Sequence, residues 1–290
     1  MIMSMFKFGF SKDDSAEEKE DDSNNTSLEW FPSCKIEISS EQLQAEYEPE
    51  DIMENNFFNN IPLKLVHTDK VMIDLKNERC ENIIEAESQH SDLVPAKYEG
   101  GLKIWECSYD LGEFLLKEKI RLKDKTVLDL GCGAGIIGLI ALHEGSTVHF
   151  QDYNTEVLKA VTIPNVILNL TDRNSIRNRC EFYCGDWKSF AELSSNKYDS
   201  EDKKYDFIFT SETIYNPDNQ KKLYEVFKKQ LKKDGVGYVA AKMYYFGVGG
   251  SIGQFENIVK NDGIFNSIIV WKSKEGVQRA ILKLTRKDTT

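Results

Sequence analysis

The chain has 290 residues, enough for one sizeable α/β domain plus an appendage. Its formal charge of −11 lies entirely in residues 1–55, where 15 Asp or Glu face 4 Lys or Arg, while residues 56–290 carry 33 of each sign. No apolar run approaches the roughly 18 residues of a membrane span, no basic surplus points to nucleic acid, and six cysteines without a CxxC pair, beside four histidines, do not compose a zinc site.

At the start, Phe6, Phe8 and Phe10 alternate with Lys7 and Gly9, a period-two pattern that could add to a sheet or dock a partner, against the plainer reading of a loose end. Residues 13–54 are rich in Ser, Asn and acids, so residues 1–60 are expected to be a mostly disordered acidic segment with one short strand at Lys35–Ile38. Such a segment repels nucleic acid and attracts basic protein. Residues 61–97 are expected to hold an N-terminal hairpin and a connecting loop, with Leu63, Leu65 and Val66 in one strand and Val71, Met72, Ile73 and Leu75 in the other. Tyr98–Cys107 then reads as a loop feeding a helix that runs to Ile120.

From residue 98 to 290 the pattern is a regular alternation. Strands are predicted at Thr126–Leu130, Thr147–Gln151, Glu181–Cys184, Tyr205–Ser211, Gly237–Lys242, Asn266–Trp271 and Arg279–Thr285. Helices are predicted at Ile136–His143, Thr155–Leu168, after Trp187, Asn219–Lys232 and Ile252–Asn261. This implies a doubly wound, mostly parallel α/β sheet of seven strands. Only Lys272–Val277 separates the last two strands, too few residues for a crossover, so they form an antiparallel C-terminal hairpin.

The chemistry gathers at strand ends. Thr126–Gly138 reads TVLDLGCGAGIIG: a buried strand, a bare glycine turn and a helix N-terminus, the arrangement that receives a nucleotide-type cofactor. Gly133–Gly138 also fits GxGxxG, which leaves a dinucleotide site open. Asp129, two residues before Gly131, gives Asp-x-Gly-x-Gly-x-Gly, which resembles motif I of the seven-strand S-adenosylmethionine-dependent methyltransferases, as does a Rossmann-like sheet ending in an antiparallel hairpin. Asp152, 21 residues after Gly131, can accept both ribose hydroxyls. Asp186 can accept from an adenine amino group, and Trp187 can lie against the ring.

Four stretches narrow the resemblance: Tyr98–Cys107 (YEGGLKIWEC), Phe150–Asn154 (FQDYN), Thr210–Pro217 (TSETIYNP) and Tyr245–Gly250 (YFGVGG). Together, over residues 90–290, they resemble the histidine protein methyltransferase family. That resemblance implies methyl transfer from S-adenosyl-L-methionine to the tele nitrogen of a histidine in a large-subunit ribosomal protein. By motif it implies cofactor contacts at Ile104, Trp105, Glu106, Cys107 and Ser108, at Asp129, Gly131 and Gly133, at Gln151, Asp152 and Tyr153, at Gly185, Asp186 and Trp187, and at Ser211. Glu212 is the candidate carboxylate for selecting the nucleophilic imidazole tautomer. Tyr215, Tyr245 and the Gly247–Gly250 loop are candidates for shaping the substrate entrance, with Tyr215 also a candidate catalytic residue. No metal is expected. The expected protein is a monomer without membrane or direct nucleic-acid contact, cytoplasmic with the nucleus as a second candidate address. Residues 169–179 lack the basic insertion of some relatives, so a nuclear address has no support from that stretch. His90, just ahead of the cofactor-side loop, is a candidate for methylation in cis, against a satisfied loop histidine. A lysine-directed enzyme of the same fold, and a non-catalytic S-adenosylmethionine-binding chaperone of a ribosomal protein, are the rival readings.

Overall fold

A computed structural model describes residues 29–58, 61–88, 91–197 and 200–287. The Phe6–Phe10 pattern and His90 lie outside the described residues. The body is an eight-stranded sheet in the order β1-β6-β5-β4-β7-β8-β10-β9, formed by Cys34–Ile36 (β1), Thr126–Leu130 (β4), Thr147–Asp152 (β5), Cys180–Cys184 (β6), Tyr205–Ser211 (β7), Leu231–Lys242 (β8), Phe265–Lys272 (β9) and Arg279–Arg286 (β10). Strands β4 to β8 pair in parallel, and β10 is antiparallel to both β8 and β9, which is the expected seven-strand arrangement. The eighth strand, β1, pairs antiparallel with β6 and brings the Cys34 and Cys184 sulfurs to 3.1 Å.

The continuous apolar runs exist because the central strands are covered on both faces. Val127 packs into a core with Phe150, Phe182 and Phe209 beneath helices Glu106–Lys117 (α4), Ile136–His143 (α5) and Ile163–Asn169 (α7). Leu128 and Leu130 turn to the other core, under Trp187–Lys197 (α9), Pro217–Gln230 (α10) and Ile252–Asp262 (α11). Each such buried leucine contributes about 1.5–3 kcal/mol relative to exposure.

The N-terminal part differs from expectation. Residues 71–75 are not a strand: Thr68–Asn77 is helix α2, followed by Glu81–Ser88 as α3. Val71, Met72 and Leu75 share one inward stripe at helical spacing, whereas Ile73 is 56% exposed, so an apolar run that resembled a strand has a period of 3.6. The hairpin is instead Ile52–Asn55 (β2) with Leu63–Val66 (β3), and β2 lies in the stretch expected to be disordered. Ser40–Gln44 is a short helix, α1, closed by a capping box between Ser39 and Gln42. The composition of residues 29–58 misleads because β1 pairs with β6 about 150 positions away, and β2 is secured through β3, which is itself held by a distant helix. Asn165 and Asn169 on α7, for example, hold the β3 backbone at Val66 and Lys64.

The helix between β5 and β6 is interrupted. Thr155–Val157 (α6) passes through a π turn at Leu158–Thr162 into α7, and a four-residue helix, Ile176–Arg179 (α8), leads into β6. The π turn aims Thr162 and Asn165 at the glycine turn, where their side chains donate to the carbonyls of Gly133 (2.6 Å) and Ala134 (2.9 Å).

Candidate active site

The carboxyl ends of the parallel strands open on a cleft of about 740 Å³. Its floor is the turn after β4. Gly131 and Gly133 have φ of +68° and +49°, and a Cβ on Gly131 would lie 2.5 Å from Thr213 Cγ2, so neither position accepts a side chain. Asp129 does not line the cleft. It is buried behind the turn, where its Oδ2 accepts the Gly138 N–H at 2.8 Å, and burial pushes its carboxyl up to about 7 against that hydrogen bond. Asp129 therefore braces the turn to α5. The glycine at 138 answers to packing, since a Cβ there would stand 2.1 Å from Phe150 Cε1.

The β5 end supplies Asp152, which is buried yet borders the cleft. Its two oxygens accept the N–H groups of Gly133 (2.8 Å) and Asn154 (3.2 Å), and burial pushes its pKa up to about 6. Gln151, one residue earlier, points to another face of the strand and stays out of the cleft. It ties three site segments together, donating to Gly185 O (2.8 Å) and accepting from the Trp187 indole (2.8 Å) and the Gly131 N–H (3.4 Å). Tyr153 lines the cleft and donates its hydroxyl to Ala96 O at 2.7 Å. After β6, Gly185, Asp186 and Trp187 form the next wall, with Asp186 Oδ1 paired to Lys222 Nζ at 2.8 Å.

At the other end stand Ile104, Trp105 and Ser108, with the Ser108 hydroxyl 2.8 Å from that of Ser211. Glu106 and Cys107, expected as cofactor contacts, turn away from the cleft: Glu106 lies 3.4 Å from Lys242 Nζ, and the Cys107 thiol is buried against Glu212. The helical twist of α4 explains this, because residues 105 and 108 share a face that 106 and 107 do not.

Glu212 lies in the left-handed region, with φ +57°, and its N–H donates to Ala240 O at 2.9 Å. Its carboxylate is buried and borders the cleft, with the Tyr245 hydroxyl and the Cys107 thiol beside it and no backbone N–H bonded to either oxygen. Burial pushes its pKa up, opposed chiefly by the Lys242 ammonium 3.5 Å away. Tyr215 donates its hydroxyl to Glu99 across the cleft, and Glu99 also accepts the Ala96 N–H at 2.9 Å. Burial pushes Glu99 up to about 7. Tyr245 is buried and packs beside Tyr215 without lining the cleft, while Gly250 donates its N–H to Tyr215 O and so fixes that loop.

Several lining residues carried no assigned role in the sequence reading: Trp30, Glu99, Gly101, Thr213 and Asn219. Glu99, Gly101 and Thr213 do fall within the family-like stretches, which was the available signal. Trp30 lay in the segment expected to be disordered, and Asn219 at a helix start.

The domain family described as "Lysine methyltransferase" matches residues 95–246. A Bos taurus protein named "Histidine protein methyltransferase 1 homolog" is 39% identical over 265 residues, covering 82% of this chain and 70% of that protein. The chain belongs to the histidine protein methyltransferase family. A second relative of that name, from Dictyostelium discoideum, is 43% identical over 199 residues, 68% of this chain and 61% of its own. A Streptococcus mutans structure described as a SAM-dependent methyltransferase superposes with a TM-score of 0.53 at 12% identity, covering 83% of this chain and 57% of that one, and supports the fold alone.

The residues fit the S-adenosylmethionine that this methyltransferase family uses. A bare turn at Gly131 and Gly133 admits the close approach of a nucleoside, Asp152 can accept ribose hydroxyls, and Asp186 with Trp187 can border the adenine. The cleft continues to Ser108, Ser211 and Glu212, which leaves room for the amino-acid arm.

Proposed function

We propose that this protein methylates the tele nitrogen of a histidine in a large-subunit ribosomal protein, acting as a cytoplasmic monomer. The observation that carries the reading is Glu212, a buried carboxylate that still borders the cleft although Lys242, Tyr245 and Cys107 stand beside it, with no backbone N–H bonded to either oxygen. A carboxylate has about four acceptor sites, so one that borders the cleft can take a further donor, and the N–H on the second nitrogen of a substrate imidazole is such a donor. When bound, S-adenosylmethionine supplies an electrophilic methyl group, which the lone pair of the other imidazole nitrogen takes as the C–S pair returns to sulfur.

An imidazole with a pKa near 6.5 is mostly neutral at pH 7 and needs no strong base to become a nucleophile. It needs the right tautomer and an in-line approach. Accepting the pros N–H at Glu212 leaves the lone pair on the tele nitrogen, and the same carboxylate stabilises the imidazolium that forms. The Tyr215–Glu99 bridge spans the cleft and narrows the approach to it.

A lysine acceptor is the second reading, favoured by the description of the matched domain family. An ammonium must lose its proton before it can attack, and Glu212 already faces one ammonium at Lys242. Large-subunit ribosomal proteins are incubated with the enzyme and methyl-labelled cofactor, and the acid hydrolysate is resolved. Label in tele-methylhistidine is expected; label in methyllysine selects the second reading, and label in pros-methylhistidine overturns the tautomer assignment. Cofactor binding with no label in any ribosomal protein favours the non-catalytic chaperone.

A further inference from the structure

Part of the acidic N-terminal segment, residues 30–33, docks beside the cofactor cleft. Phe31 donates its N–H to the Tyr153 hydroxyl at 3.1 Å and accepts the Asp186 N–H at 2.9 Å, and Ser33 donates to Ser189 Oγ at 2.7 Å. The Phe31 ring stacks on Tyr153 at 5.6 Å, and β1 continues the docking along β6. The contact is close, because a Cβ on Gly185 would lie 2.5 Å from Pro32 O. The strap thus holds three residues of the cofactor wall: Tyr153, Gly185 and Asp186.

Trp30 comes just before this anchor. It joins neither hydrophobic core. Its indole stands edge-on to Tyr153 at 5.4 Å, carries the Lys222 ammonium 3.8 Å from the ring centroid, and borders the cleft. The same Lys222 pairs with Asp186, so indole, cation and carboxylate form one assembly at the end where the adenine is expected. Burying one part of an aromatic while another part stays open to a cavity leaves apolar surface for a planar ligand to cover.

We infer that Trp30 is a cofactor-binding residue whose indole forms the outer wall of the adenine site, so that docking of residues 30–33 and binding of the adenosine moiety reinforce each other. This rests on the S-adenosylmethionine reading of the cleft. It gives the N-terminal segment a role in cofactor affinity and predicts that occupancy of the cleft orders the strap.

The test uses the full chain and two ligands that share adenosine but differ at the amino-acid arm, S-adenosylhomocysteine and 5′-methylthioadenosine. Calorimetry of Trp30→Ala should show both ligands weakened by a similar factor, about 5-fold to 150-fold from the ~1–3 kcal/mol of base–aromatic stacking, with Trp30→Phe recovering most of the loss. Hydrogen exchange at the Phe31 and Ser33 amides should slow when S-adenosylhomocysteine binds the wild type. Wild-type affinity in Trp30→Ala, a loss confined to S-adenosylhomocysteine, or amide exchange indifferent to ligand would each overturn the inference. A Trp30→Phe protein that melts like the wild type but binds no better than Trp30→Ala would also overturn it. A wild-type chain that binds neither ligand would sink the cofactor reading itself, an outcome distinct from all of these.

Discussion

The two ends of the cleft are built on opposite terms. At the adenosine end the acids are satisfied by the protein: Asp152 accepts two backbone N–H groups, and Asp186 accepts the Lys188 N–H and the Lys222 ammonium. At the proposed transfer end Glu212 is buried among side chains only, with Lys242 at 3.5 Å and the Tyr245 hydroxyl and Cys107 thiol beside it, and no backbone N–H holds either oxygen. A site that must hold one ligand in one pose gains from preset geometry, whereas a group proposed to act on an incoming substrate must keep some acceptor capacity open to it. The first end is therefore expected to govern affinity, and the second to govern rate.

Asp152→Ala should break the adenosine end most completely. It removes the proposed ribose acceptor and the anchor of the Gly133 N–H together, each a charged hydrogen bond of about 1.5–3 kcal/mol, so affinity for S-adenosylhomocysteine should fall on the order of 10²–10⁴-fold. Calorimetry reads this directly; a loss below tenfold would mean that the ribose lies elsewhere. Glu212→Gln should lower single-turnover methyl transfer roughly 10²-fold while leaving cofactor affinity within about twofold. If affinity falls as far as rate, the division between the two ends is wrong.

Gly138→Ala tests the support common to both. Its Cβ would stand 2.1 Å from Phe150 Cε1, so the variant should lose about 1–3 kcal/mol of stability by denaturant titration and weaken neither end selectively.

The smallest effect is a pH dependence. Asp152 is raised to about 6, and Asp129 and Glu99 to about 7, in each case chiefly by burial. These carboxyls hold protons more readily in the fold than in the unfolded chain, where they titrate near 4. Their contribution is complete below about pH 4 and is lost as the pH rises through 6 to 7. The melting midpoint of the cofactor-free protein should decline between pH 5 and 8, and Asp129→Asn should flatten that decline. An unchanged slope in the variant would remove Asp129 from the explanation.

The sheet was legible because strands covered on both faces need mostly apolar runs, and Val127–Leu130 and Tyr205–Phe209, each broken only by one aspartate, recur between helical patterns. Asp152, Asp186 and Ser211 were legible as cleft residues because the topology puts strand ends together. Their neighbours were not: Gln151 and Cys107 stand beside lining residues in sequence, but the strand and helix periods turn them away from the cleft. The strap escaped for a different reason. An acidic, polar stretch gives no local sign that three residues of β1 will find β6, about 150 positions away, or that Trp30 will reach the cleft. Helix α2 was misread because a four-residue apolar cluster does not distinguish a period of 2 from one of 3.6.

The backbone at Glu212 has a consequence for how this enzyme can change. A glutamate at φ +57° occupies a region that costs a side chain of its kind on the order of 1–2 kcal/mol, and its carboxylate is desolvated as well. Glycine or asparagine would relieve both burdens. On the proposed role of Glu212, selection for heat tolerance alone would therefore drive this codon toward a sturdier protein that transfers methyl groups more slowly.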